Sequence, residues 1–92
     1  MRGLRNRLLT RAASTAVAID EFLITPELGL AEMIRGSAHK IAGIAATLGL
    51  PELGSFAASV DEAPLPVPPG ELAIEHLTRL RQAITIALEG EA

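Results

Sequence analysis

Ser37-Ala38-His39-Lys40-Ile41-Ala42-Gly43-Ile44-Ala45-Ala46-Thr47-Leu48-Gly49-Leu50-Pro51-Glu52-Leu53 decides how this chain folds. Ala38, Ile41, Ala45 and Leu48 recur at spacings of three and four, the period of one helix face. Gly49 can take a left-handed conformation without steric penalty and so ends a helix. Pro51 is tolerated at the first position of a new one, which starts at once.

The same stretch carries one of only two histidines. The neighbours of His39 on its own face lie three, four and seven residues away: Arg35, Gly36, Ala42, Gly43 and Ala46. All but Arg35 are small. Glycine inside a helix costs about 1 kcal/mol relative to alanine, and both Gly36 and Gly43 flank the imidazole. Spacing leaves two readings open. The glycines allow close helix packing beside a solvated histidine, or they keep His39 accessible to something that approaches it.

The segment Ala38–Gly49, followed by Leu53, resembles the signature of histidine phosphotransfer (HPt) domains. His39, Ile41, Gly43, Ala45, Leu48 and Gly49 match in register, and Leu53, Ala57, Val60 and Asp61 resemble the family's next helix. Outside that span the likeness extends only to helical layout. Two positions depart from the pattern. Ala42 stands where lysine is usual, and Ile44 where a small polar residue is common. The resemblance implies an all-α, antiparallel four-helix bundle whose His39 accepts a phosphoryl group and exchanges it with an aspartate on receiver domains of response regulators and hybrid histidine kinases. It implies no cofactor in this chain, Mg²⁺ on the partner receiver, and a cytoplasmic protein. The docking face would carry His39, Arg35, Gly36, Ala42, Gly43 and Ala46, helped by an adjacent helix such as the first. With lysine absent at Ala42, Arg35 and Lys40 are the candidate phosphate neighbours. Arg35 lies one turn before His39, whereas Lys40 lies about 100° around the helix on a stem long enough to curl back.

The remaining chain reads as helices too. Leu4, Leu8, Ala12, Thr15, Ile19 and Phe22 or Leu23 predict a first helix over about 4–23. Thr25-Pro26-Glu27 reads as a start, with Thr25 as cap and Pro26 at the first position, for a second helix over about 26–48. Its stripe is Leu30, Ile34, Ala38, Ile41, Ala45 and Leu48. In the third, Leu53, Phe56, Ala57 and Val60 face inward, while Ser55, Ser59 and Asp61 face water. Pro64 stops it. Residues 63–70, with four prolines, read as a stiff extended connector. A last helix runs from Glu71 to Gly90 on Ala73, Leu77, Leu80, Ile84 and Ala87 or Leu88. No strand pattern appears, and amphipathic helices of this kind bury their stripes as a bundle.

Length and composition bound the function. Ninety-two residues predict one domain over 1–92. Without cysteine there is no disulfide or thiolate metal site. Phe22 and Phe56 are the only aromatic residues, too few for base stacking, and a net charge of −3 opposes binding to a phosphate backbone, so no nucleic-acid partner is expected. No apolar run is long enough to span a bilayer. Arg2, Arg5, Arg7 and Arg11 precede the first acid, Asp20. They read as the solvated start of a bundle helix rather than a targeting peptide.

Other chemistry is absent. There is no glycine-rich phosphate loop for ATP, no His-Glu-x-x-His, and no metal site from two distant histidines. Ser37 lies on the wrong side of the helix to pair with His39, and His76 reads as a boundary residue. His39 remains as a lone nucleophile, since neutral imidazole offers a ring nitrogen to phosphorus. The alternative is a helical interaction module that has lost transfer and binds a signalling partner through the same face. Ala42 supports that alternative. A membrane-surface role for the basic first helix is a weaker third. Nothing in the sequence indicates a homodimer.

Overall fold

A computed structural model describes residues 2–90. They form four helices: α1 (Arg2–Ile24), α2 (Leu28–Ile44), α3 (Pro51–Glu62) and α4 (Glu71–Glu89). No strand occurs among the described residues. α1 packs against α2 and α4, and α3 packs against the same two, closing an all-α ring of four. The molecule measures 37 × 21 × 19 Å. At ~1.5 Å per residue, α1 alone spans about 35 Å, so the helices run along the long axis and alternate in direction.

The core contains most of the stripes read from the sequence, with Leu9, Ala16, Ala18, Ala31 and Ala83 added and Leu30 and Leu48 only half-buried at its edge. Ile19, Phe22, Ile34, Ile41, Leu77, Leu80 and Ile84 are fully buried. Thr15 is the buried polar member of the α1 stripe, and its hydroxyl donates to the Arg11 carbonyl at 2.8 Å. Leu4, placed in the stripe by its spacing, is exposed because the bundle closes around Leu8 and Leu9 instead. On the outside, Arg81 of α4 grips Asp20 of α1 through Nε and Nη2 at 3.1–3.3 Å and donates to the Thr85 hydroxyl at 2.6 Å. The Asp20 hydrogen bonds raise the pKa of the Arg81 guanidinium.

Helix ends differ from expectation in two places. Thr25 does not cap α2. Its amide still donates to the Glu21 carbonyl at 2.8 Å, as a continuation of α1, and Glu27 occupies the N-cap without a side-chain bond. Pro26 therefore lies in the reversal, and α2 starts at Leu28. At the other end, regular α2 stops at Ile44 rather than 48. The chain then tightens. The Leu48 amide reaches both Ile44 and Ala45 carbonyls, the Gly49 amide reaches Ala46 at 3.1 Å, and the Leu50 amide reaches Ala45 at 2.8 Å. With Gly49 at φ +83, this is a Schellman termination. Arg5 secures it from α1 by donating to the Leu48 carbonyl at 2.6 Å.

Pro51 then opens α3. A Cβ on Gly54 would lie 3.3 Å from Ala45 Cβ and 3.5 Å from the Ala46 amide nitrogen, so α3 passes the end of α2 where only glycine fits without displacement. Phe56 is half-buried rather than inward, because it lies over the α3–α4 seam. The connector over 63–70 is not uniformly extended, and its Val67–Pro68 peptide is cis. α4 begins at Glu71 and ends at Glu89.

Candidate functional site

The tight turn at Gly49 sets which residues of α2 and α3 meet. His39 lies ten residues before Gly49 and Asp61 twelve after it. In antiparallel helices that is about 15 and 18 Å from the turn, hence the same level. The side chains do meet: His39 Nδ1 lies 3.0 Å from Asp61 Oδ2. The histidine remains 76% exposed while the aspartate is only 30% exposed. Arg35, one turn earlier on α2, donates from Nη2 to the Asp61 carbonyl at 3.1 Å. A cation at the C-terminal end of α3 also suits that helix's dipole. Arg35, His39 and Asp61 thus form one constellation across the α2–α3 seam.

This geometry has a chemical consequence. An ionised carboxylate only accepts hydrogen bonds, so in the neutral ring the nitrogen facing Asp61 must carry the proton. Nδ1–H donates to Asp61, and the Nε2 lone pair is left on the exposed side. A buried or half-buried acceptor that fixes tautomer and ring orientation in this way is a recurrent means of preparing an imidazole for reaction.

The face beside the ring is open. A Cβ on Gly36 or Gly43 would meet nothing within 4 Å, so neither glycine serves close packing in this chain. Ala46 is exposed as well. Ala42 departs from the reading that placed it on the open face: it is half-buried against the core, with its carbonyl toward Gly54. Ala42 lies about 40° from the core position Ala38 and about 60° from Ala45 on the wheel, on the side where α3 passes. Lys40 is exposed on the opposite flank from Asp61, beside Ile44 and the α1 residues Arg7 and Arg11.

Asp61 is the residue that sequence reasoning assigned to water. Its signal was present as an acid at the end of the helix after the turn, within two residues of the distance that separates His39 from Gly49. Reading it required knowing that the turn is tight enough to bring the two to one level. Ser59, also assigned to water, is half-buried and donates to the Ser55 carbonyl at 3.3 Å. His76 is half-buried near Pro64 and Leu65, with no hydrogen-bond partner among the described residues. No group of three His, Cys, Asp or Glu that could hold a metal ion occurs among the described residues. None of the described helices is long and apolar enough to cross a membrane.

A family model for the Hpt domain matches residues 3–90. No curated protein and no solved structure gives a significant match.

Proposed function

The chain belongs to the Hpt domain family, whose members work by histidine phosphotransfer in two-component phosphorelays, and we propose that its phosphoryl carrier is His39, loaded and unloaded by receiver domains. The observation that carries this reading is the exposed His39 ring tied through Nδ1 to Asp61.

In the forward step the Nε2 lone pair attacks the phosphorus of an aspartyl phosphate on the partner. The Nε2–P bond forms as the P–O bond to the aspartate breaks, and the carboxylate leaves with the bonding pair. A receiver that holds Mg²⁺ would neutralise charge on its own side with that ion. Attack by a neutral ring leaves it positively charged, and the Asp61 carboxylate, already bonded to Nδ1–H, balances that charge. Handing the group to a second receiver is the reverse sequence on another aspartate, so the carrier needs no nucleotide and no base of its own. Phosphoryl transfer depends chiefly on positioning and charge neutralisation. Gly36, Gly43 and Ala46 leave room for the partner, and Arg35 and Lys40 are the cations at hand for the phosphoryl oxygens. Arg35 is the better placed, because its bond to the Asp61 carbonyl holds it on the His39 side.

Incubation with a phosphorylated receiver domain tests this. Acid-labile, alkali-stable label should appear on the protein, vanish in His39→Gln and persist in His76→Gln. Label surviving His39→Gln would refute the assignment. Ala42, in the position where the family pattern has lysine, favours a second reading in which transfer is lost and the same face only binds a signalling partner. Binding of receivers without label transfer would support it.

A further inference from the structure

α1 carries a charge pattern that its own fold does not use. Arg7 and Arg11 are exposed, and neither takes part in an ion pair or hydrogen bond through its side chain among the described residues. They sit one turn apart on the same helix face, where like charges repel, in the N-terminal half of a helix whose dipole disfavours cations. Arg5 differs, since it secures the Leu48 carbonyl. The position of Arg7 and Arg11 is specific. Both line a groove between α1 and α2 that continues past Lys40 and Ile44 in one direction and past Met33 and Ser37 in the other. No carboxylate lines that groove. In a chain of net charge −3 this is a local concentration of one sign.

The groove adjoins the site already described. On the α2 wheel Gly43 marks the bare shoulder. His39 lies about 40° to one side of it and Lys40 about 60° to the other. A body seated on the glycine shoulder to reach Nε2 would therefore overlie Lys40 and the two arginines next to it. Its surface there must tolerate, and gain from, three cations.

We infer that Arg7, Arg11 and Lys40 form a partner-selecting surface that favours receiver domains with an acidic rim around the acceptor aspartate. This rests on the His39 reading. A receiver that presents carboxylates where it overlies this groove gains from the three cations, whereas one that presents lysines or arginines there is repelled. Such complementarity acts mainly on encounter rate and on rejection of wrong partners, and salt screens it.

The test separates the two claims by loading His39 without a protein partner. Phosphoramidate, which transfers its phosphoryl group with ammonia as leaving group, should label wild type and an Arg7→Glu/Arg11→Glu variant equally. Failure to label His39 at all would overturn the His39 reading, and this inference with it. The purified phosphoproteins are then mixed with a panel of receiver domains, and loss of label is timed. Wild type should discharge to acidic-rimmed receivers at least tenfold faster than the double variant at low salt. The gap should close at about 1 M salt, where the screening length falls to about 3 Å. Arg79→Glu on α4, which changes net charge without touching the groove, should discharge like wild type. Equal rates for wild type and double variant would overturn the inference, as would slowing by Arg79→Glu to the same degree, or no discharge of labelled wild type to any receiver. Binding of anionic phosphatidylserine vesicles that is lost in the double variant, with discharge unchanged, would overturn it in favour of a membrane surface.

Discussion

Two glycines on neighbouring helices, Gly43 and Gly54, are the same letter with opposite functions. A methyl group at Gly54 would press on Ala45 Cβ at 3.3 Å, so that glycine exists to let α3 pass the end of α2. A methyl group at Gly43 would meet nothing within 4 Å. The helix there carries the conformational penalty of glycine with no packing return, and the residue it borders is an exposed histidine. The difference teaches that the α2–α3 pair has a closely packed end, at the turn, and an open end, at His39 and Asp61, where the proposed transfer would take place. The turn fixes the register, and the register sets the pair of side chains.

Substitutions at the two glycines should therefore separate. Gly54→Leu should destabilise the fold by about 1–3 kcal/mol, the usual range for overpacking a tight contact. For a domain this small that is a fall in melting midpoint of roughly 4–8 °C per kcal/mol, and calorimetry or circular dichroism reads it directly. An unchanged midpoint would mean the close approach does not matter. Gly43→Leu should leave folding intact but slow transfer from a phosphorylated receiver at least tenfold, equivalent to about 1.4 kcal/mol. Unimpaired transfer in a folded variant would break the link between the bare shoulder and access. The smaller change Gly43→Ala should stabilise the helix by about 0.5–1 kcal/mol, visible as a raised denaturation midpoint. A loss of stability there would show that the shoulder is packed after all. Least of all, Arg81→Met should cost less than about 1 kcal/mol. The Asp20 pair lies at the surface, with both side chains more than a third exposed, and exposed pairs of this kind contribute little. A larger loss would make the α1–α4 clamp a rival to the turn as the main organiser.

Much of this was legible in the residues. The stripes through Ile19 and Phe22, Ile34 and Ile41, and Leu77, Leu80 and Ile84 are spaced for helices, and each of these side chains is fully buried. Gly49 was legible as a terminator because a left-handed residue after an apolar run has few other uses. What was not legible depended on contacts between elements. Thr25 looks like a cap in isolation, yet α1 retains its amide. Ala42 looks exposed from its spacing to His39, yet α3 covers it. Asp61 looks solvent-facing on its own helix, yet the Gly49 turn brings it to the imidazole. In each case a local pattern competed with a neighbour that the sequence does not place.

The central claim is that His39 reacts through Nε2 because Asp61 holds Nδ1. It is tested most directly by loading the protein with phosphoramidate and locating the phosphoryl group by ¹⁵N and ³¹P NMR. The account predicts phosphorus on Nε2 of His39, with Nδ1 still protonated, and markedly slower loading in Asp61→Ala. Phosphorus on Nδ1, or on His76, or loading indifferent to Asp61, would contradict it.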